Sequence, residues 1–216
     1  MNWTRTVLDG FAMAAYFNLF AGLVALYKPR LMFPCYPPAI IKAAKDPPTS
    51  AENRFYWLWI CFGELLPLLL YGAVSTMEGG TTGFWPLALT GYIQWMMVNF
   101  CDLFFLDFWL IQRKAKSRFI IPGTEGHPGY GFNAWMKDYA LPEHLLQWPF
   151  LMCPILAAAQ AGLGLLIDIF WWTARKQDVP HDCSFSNHQS GSQDDGVQKL
   201  FPIPPEGPLE EGKKDE

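Results

Sequence analysis

The chain has 216 residues, 51% of them hydrophobic and 16% aromatic, with a formal net charge of -4. The charge balance gives no basic footprint for nucleic acid, and the five cysteines (Cys35, Cys61, Cys101, Cys153, Cys183) show neither a C-x-x-C pair nor a disulfide-framework spacing. The average hides an uneven distribution: residues 177–216 hold nine acidic and three basic residues and no long apolar run, so residues 1–176 are slightly cationic and carry nearly all the apolar content.

A membrane-crossing helix needs about 20 mostly apolar residues. Four windows meet that length, at about residues 6–27, 55–75, 84–111 and 145–174. The predicted fold class is therefore all-α: a polytopic membrane protein with a four-transmembrane-helix bundle over residues 1–176, followed by a disordered, acidic polar tail at 177–216. The first run reads as a retained anchor. It is too long for a signal peptide, and Arg5 alone precedes an immediate Asp9. Along it, Gly10, Ala14, Asn18 and Gly22 recur every four residues, a stripe of small side chains that lets another helix approach closely.

Between runs one and two lie Lys28, Arg30, Lys42, Lys45 and Arg54. Between runs three and four lie Arg113, Lys114, Lys116, Arg118 and Lys137. Four spans place both connections on one side, and the excess of Lys and Arg marks that side as cytoplasmic, with both termini opposite. The membrane is that of the endoplasmic reticulum or the plasma membrane. Tyr27, Phe55, Tyr56, Trp57, Trp85, Trp109, Trp148, Trp171 and Trp172 fall near the proposed span edges, the depth at which aromatic rings settle. Asn2-Trp3-Thr4 matches a glycosylation acceptor but lies too near the membrane to carry weight.

The second run holds Glu64 near its middle, next to Gly63 and three residues before Pro67. An in-helix proline removes a donor and obstructs the carbonyl four residues earlier, here that of Gly63; for Pro154, in the fourth run, the carbonyl is that of Phe150. In the third run, Asp102 lies deeper than Asp107. A mid-span acid costs roughly 2.5 to 3.5 kcal/mol on insertion scales and faces protein or water. Depth ranks Glu64 first, Asp102 second and Asp107 third, while Asp9 and Asp168, near span ends, can reach headgroup water. At 100° per residue Asn99 and Asp102 share a face, whereas Asp107 lies about 140° round from Asp102. On that geometry the aspartates are not a pair, and Asp107 answers to the basic cluster from Arg113 to Arg118. The plain role of that cluster is topology and contact with anionic lipid.

For Glu64 and Asp102 two readings stand side by side. One is an interhelical polar contact with Asn18, Gln94, Asn99 or Gln160. The other is an acid/base pair around a small cavity, since an unpaired buried carboxyl favours its neutral, proton-donating form. The long connection between runs three and four contains Ile121-Pro122-Gly123-Thr124-Glu125-Gly126-His127-Pro128-Gly129-Tyr130-Gly131 and then Phe132, Trp135 and Tyr139. A connection this aromatic reads as a lid or an interfacial segment rather than a spacer. Glu125 and His127, joined by His144, are candidates for contacts at its mouth, although Thr124 and Glu125 equally suit a turn cap. The segment lacks the Lys-Ser/Thr and glycine spacing of phosphate and dinucleotide loops.

Candidate catalytic residues are therefore Glu64 and Asp102, supported by Asn18, Asn99, Asp107, Glu125 and His127. No metal or cofactor is expected. Thiol redox and haem chemistry are disfavoured, because paired cysteines are missing and the four windows contain no histidine. In the tail, His181, Cys183 and His188 lack a recognised ligand spacing. The function expected is a membrane-embedded biosynthetic enzyme doing acid/base chemistry, isomerisation or cyclisation, on a hydrophobic small molecule. A proton-coupled transporter component and a non-catalytic scaffold subunit are the alternatives. Partners are the lipid bilayer, the small molecule, and a second copy or another membrane protein.

Overall fold

A computed structural model of the chain describes residues 1–177, with side chains as far as Trp171. Among these residues every regular element is helical. Four helices are long and apolar enough to cross a membrane: α1 (Trp3–Tyr27), α2 (Ser50–Glu78), α3 (Phe84–Lys114) and α4 (Phe132–Trp171), of 25, 29, 31 and 40 residues. The protein is a multi-pass membrane bundle. Its outer surface carries large apolar side chains, among them Leu8, Phe11, Leu19, Phe62, Phe104, Phe150 and Phe170. Such a surface would be a liability in water and suits hydrocarbon. The tail and its His181, Cys183 and His188 lie outside the described residues.

Local chemistry sets the helix limits. Asn2 caps α1, its Oδ1 accepting from the Arg5 backbone N–H at 3.1 Å. Thr49 and Glu52 form a reciprocal capping box at the start of α2. The α2–α3 turn uses Gly80 and Gly83 at φ of 78° and 82°, a region that L side chains rarely adopt.

α3 is the central element, packed most extensively against α4 and α1, while the Leu66–Glu78 half of α2 lies on α4. The small residues make these seams. Gly10 faces Gln94 and Met97, Gly22 faces Leu106 and Leu110, and Gly91 meets Ala157. A Cβ at Gly72 would come within 2.6 Å of the Gln160 amide. In α4 the seam is Ala157, Ala161 and Gly164, while Ala158 is exposed and Gly162 faces open space.

Two elements differ from the sequence expectation. First, α4 begins at Phe132, not near 145, so Trp135, Tyr139 and His144 are helical rather than part of a lid loop. The cause of the misreading is local polarity: Lys137, Asp138, Pro142 and Glu143 interrupt the apolar run without breaking the helix. A helix of 40 residues is longer than the roughly 30 Å hydrocarbon core requires, so it tilts or extends beyond it. Second, α2, α3 and α4 contain wide, π-helical turns at Trp59–Leu65, Asp102–Lys114, Met136–Ala140 and Glu143–Met152.

The prolines take part in this widening. At Pro67 the freed Gly63 carbonyl accepts a hydrogen bond from the Tyr16 hydroxyl at 2.6 Å. At Pro154 the ladder just ahead runs five residues back, Cys153 N–H bonding the Trp148 carbonyl, so the proline leaves the Pro149 carbonyl as well without a backbone donor. Tyr92 Oη then donates to the Pro149 carbonyl at 3.3 Å.

Candidate functional site

The wide turns converge on one cavity of about 280 Å³, walled by all four long helices and by the connections that follow α1 and α3. Its walls are mainly apolar or aromatic, from Phe17, Ala21, Ile60, Leu106, Trp148 and Leu156. Into this lining project Glu64, Asp102, Asp107, Glu143 and His144, together with Cys35, Tyr36, Tyr56 and Tyr139. Tyr56 and Trp148, expected at headgroup depth, turn inward to this wall; Tyr27, Trp57, Trp85 and Trp109 stay exposed.

Glu64 lies in the wide segment of α2 and is 0% exposed, yet neither carboxyl oxygen has a hydrogen-bond partner. The neighbouring Trp59 indole N–H is likewise without a well-formed bond. None of Asn18, Gln94, Asn99 or Gln160 pairs with it. Asn18 donates to the Ala14 carbonyl of its own helix at 2.9 Å, Gln160 Nε2 donates to Gln94 Oε1 at 2.7 Å, and Trp95 Nε1 donates to Gln160 Oε1 at 3.0 Å. The interhelical polar contacts therefore form among the amides and leave the acid alone.

Asp102 and Asp107 do share a face, against the expectation from 100° per residue. Both stand in the Asp102–Lys114 segment, where each N–H bonds the carbonyl five residues back and residues five apart come into register. Both point at His144: Asp107 Oδ2 lies 3.0 Å and Asp102 Oδ2 3.8 Å from Nε2. Asp107 Oδ1 accepts from the Trp135 indole at 2.9 Å. Asn99 completes the set, its Nδ2 donating to the His144 carbonyl at 2.8 Å and its Oδ1 lying 2.7 Å from His144 Nδ1. Asp107 thus answers to His144 and Trp135 rather than to the basic cluster. Arg113 stacks instead on Phe108 and Phe132, and Lys114 on Trp109.

Glu125 and His127 stay outside the cavity and serve their own turns. The Gly123 backbone N–H donates to both Glu125 oxygens at 3.0 Å, and Glu125's own backbone N–H, followed by that of Gly123, holds the carboxyl below its usual range; the Gly129 N–H donates to His127 Nδ1 at 3.0 Å. Asp9 is not a headgroup residue either. It is buried and accepts from Ser75 Oγ at 2.5 Å and Tyr71 Oη at 3.0 Å, while Arg5 bridges to Glu78 at 2.7 Å.

Sequence reasoning placed His144 in the connection, at the mouth beside Glu125 and His127, whereas the structure buries it within a long helix, against the reading that no histidine lay in a span. A signal existed, because Met136, Ala140 and His144 recur every four residues and all are buried. From the connection after α1, Cys35 Sγ lies 3.0 Å from Tyr56 Oη, and the Cys35 carbonyl accepts from Tyr139 Oη at 2.7 Å. Burial pushes this thiol up to about 12, partly opposed by the Tyr56 contact. Among the described residues no group of three or more His, Cys, Asp and Glu is placed to hold a metal ion. What the arrangement offers is proton donors and acceptors on an apolar wall. No family model matches the chain, and neither a curated protein nor a solved structure matches it.

Proposed function

We propose that the protein is a membrane-embedded enzyme that isomerises or cyclises a lipid-soluble small molecule by acid/base chemistry in this cavity. The observation that carries the reading is Glu64, fully buried on the cavity wall and with both oxygens unpartnered. A carboxyl kept so at the expense of stability has a use for its free oxygens. Asp102 Oδ1 and Tyr36 Oη, also buried and unpartnered, line the same cavity and give a substrate polar handholds. A volume of about 280 Å³ suits a compact ligand and excludes a whole phospholipid.

In this reading neutral Glu64 gives its proton to one carbon of a substrate double bond, whose electron pair forms the new C–H bond. Asp102 removes a proton from a carbon next to the resulting electron-poor centre, and those electrons close the shifted double bond. Where a second double bond of the substrate lies within reach, its electrons close a ring first. No oxidant or reductant is needed. The basic residues of the two large connections support an orientation with those connections cytoplasmic and the start of α1 on the other side, in the endoplasmic reticulum or the plasma membrane.

Glu64→Gln and Asp102→Asn, expressed separately in the producing cell, test the function. The expected result is normal protein abundance with one lipid-extractable product lost and its precursor accumulated, a fall of about 10²-fold or more for removal of an acid or base. An unchanged extract at normal abundance overturns the enzyme in favour of a scaffold. A collapsed solute gradient with unchanged extract overturns it in favour of a carrier.

A further inference from the structure

We propose that His144 and Asp107 hold a single shared proton beside Asp102, so that Asp102 has a proton-bearing neighbour that Glu64 lacks; the shared proton does not depend on the acid/base reading above. The argument is a count of donors and acceptors. The Asn99 amide can be oriented in one way only, since its Nδ2 contacts the His144 carbonyl, which can only accept. Its Oδ1 is therefore the atom 2.7 Å from His144 Nδ1, and Nδ1 must carry a hydrogen to donate. At the other ring nitrogen, Asp107 Oδ2 lies 3.0 Å from Nε2. A lone pair and a carboxylate oxygen do not sit at that distance unless a proton lies between them. Asp107 Oδ1 does not supply an alternative, because it is already taken by the Trp135 N–H.

The surrounding charge makes that proton necessary. Asp102 and Asp107 from α3, Glu143 from His144's own helix and Glu64 from α2 all line the cavity, and among the described residues no Lys or Arg does. The shared proton offsets one of these negative charges, and the His144–Asp107 pair that holds it is neutral overall. Asp102 Oδ2, 3.8 Å from Nε2, faces it. Glu64, which has no hydrogen-bonding donor, does not share it. Two carboxyls on one cavity thus have different neighbours. His144, Asp107, Asn99 and Trp135 are positioning residues that act through Asp102.

The test is nitrogen-15 NMR of the histidine side chains in the full-length protein in lipid nanodiscs, with His144→Gln assigning the His144 signals. In the wild type, Nδ1 is expected to be protonated from about pH 5 to 8, the range in which an ordinary histidine titrates, with Nε2 also in the protonated range. In Asp107→Asn, Nε2 moves to the unprotonated range while Nδ1 keeps its hydrogen. A wild-type ring with unprotonated Nδ1, or an Nε2 that titrates as a free imidazole, overturns the shared proton even if Asp107→Asn does not accumulate. An Nε2 signal indifferent to Asp107→Asn overturns it as well. The NMR result is independent of turnover: loss of the enzyme reading leaves it standing, and failure here leaves the Glu64 and Asp102 test unaffected.

Discussion

A carboxyl buried in the bundle is tolerated only where something compensates it, and the acids of this chain divide on that point. Asp9 has two hydroxyl donors, and Asp107 has an indole N–H and an imidazole; Glu64 has only the nearby Trp59 indole, with no well-formed bond between them. The difference separates acids that hold helices together from one whose oxygens remain open to a ligand. Cys35 gives a direct probe of the same wall. Its thiol stays neutral in the fold because burial opposes the thiolate, so raising the pH through the usual thiol range does not activate it. Maleimide labelling at pH 8 is expected to leave Cys35 unmodified, with labelling appearing after denaturation. Rapid modification of Cys35 in the folded protein at pH 8 would contradict its burial against Tyr56.

At the scale of the helix, the informative feature is the wide turn. An α-helix would put Asp102 and Asp107 on different faces, and the five-residue ladder of Asp102–Lys114 brings them together on His144. In α2 the wide segment containing Glu64 ends where Pro67 denies a donor to the Gly63 carbonyl, and Tyr16 of α1 supplies one. Tyr16→Phe is expected to cost about 0.5–1.5 kcal/mol, the net worth of a typical hydrogen bond. In a Pro67→Ala background the backbone can serve Gly63 itself, and the cost of Tyr16→Phe should fall toward zero. Equal costs in both backgrounds, measured by reversible unfolding in mixed micelles, would show that Tyr16 does not compensate the proline.

For the whole molecule, the arrangement is a bundle whose outer face is apolar and whose cavity is lined by acids drawn from three of the four long helices. The connections after α1 and α3 contribute Met32, Cys35, Tyr36 and Phe119 to the cavity, which requires both at the same end. Single cysteines at Lys42 and Lys116, both exposed, are expected to react with a membrane-impermeant maleimide from the same side, the cytoplasmic one. Labelling from opposite sides would refute the four-span arrangement. Labelling of both from the far side would reverse the orientation and leave the fold intact.

Much of this was legible in the residues. Run length gives four spans, the small-residue stripe of the first run marks a face for close helix packing, and the cost of a mid-span acid singles out Glu64 and Asp102. These are properties of composition and local periodicity, which a chain carries without its neighbours. The start of α4 was hidden because Lys137, Asp138, Pro142 and Glu143 outweigh the buried stripe in any local average. The pairing of Asp102 with Asp107 was hidden for a different reason: the helix changes its number of residues per turn only because packing around the cavity favours the wider one. His144 reaches two aspartates and an asparagine at separations of 37 to 45 residues. No local pattern encodes such a meeting, so the sequence names the acids and tertiary packing alone decides which of them is paired and which is left free.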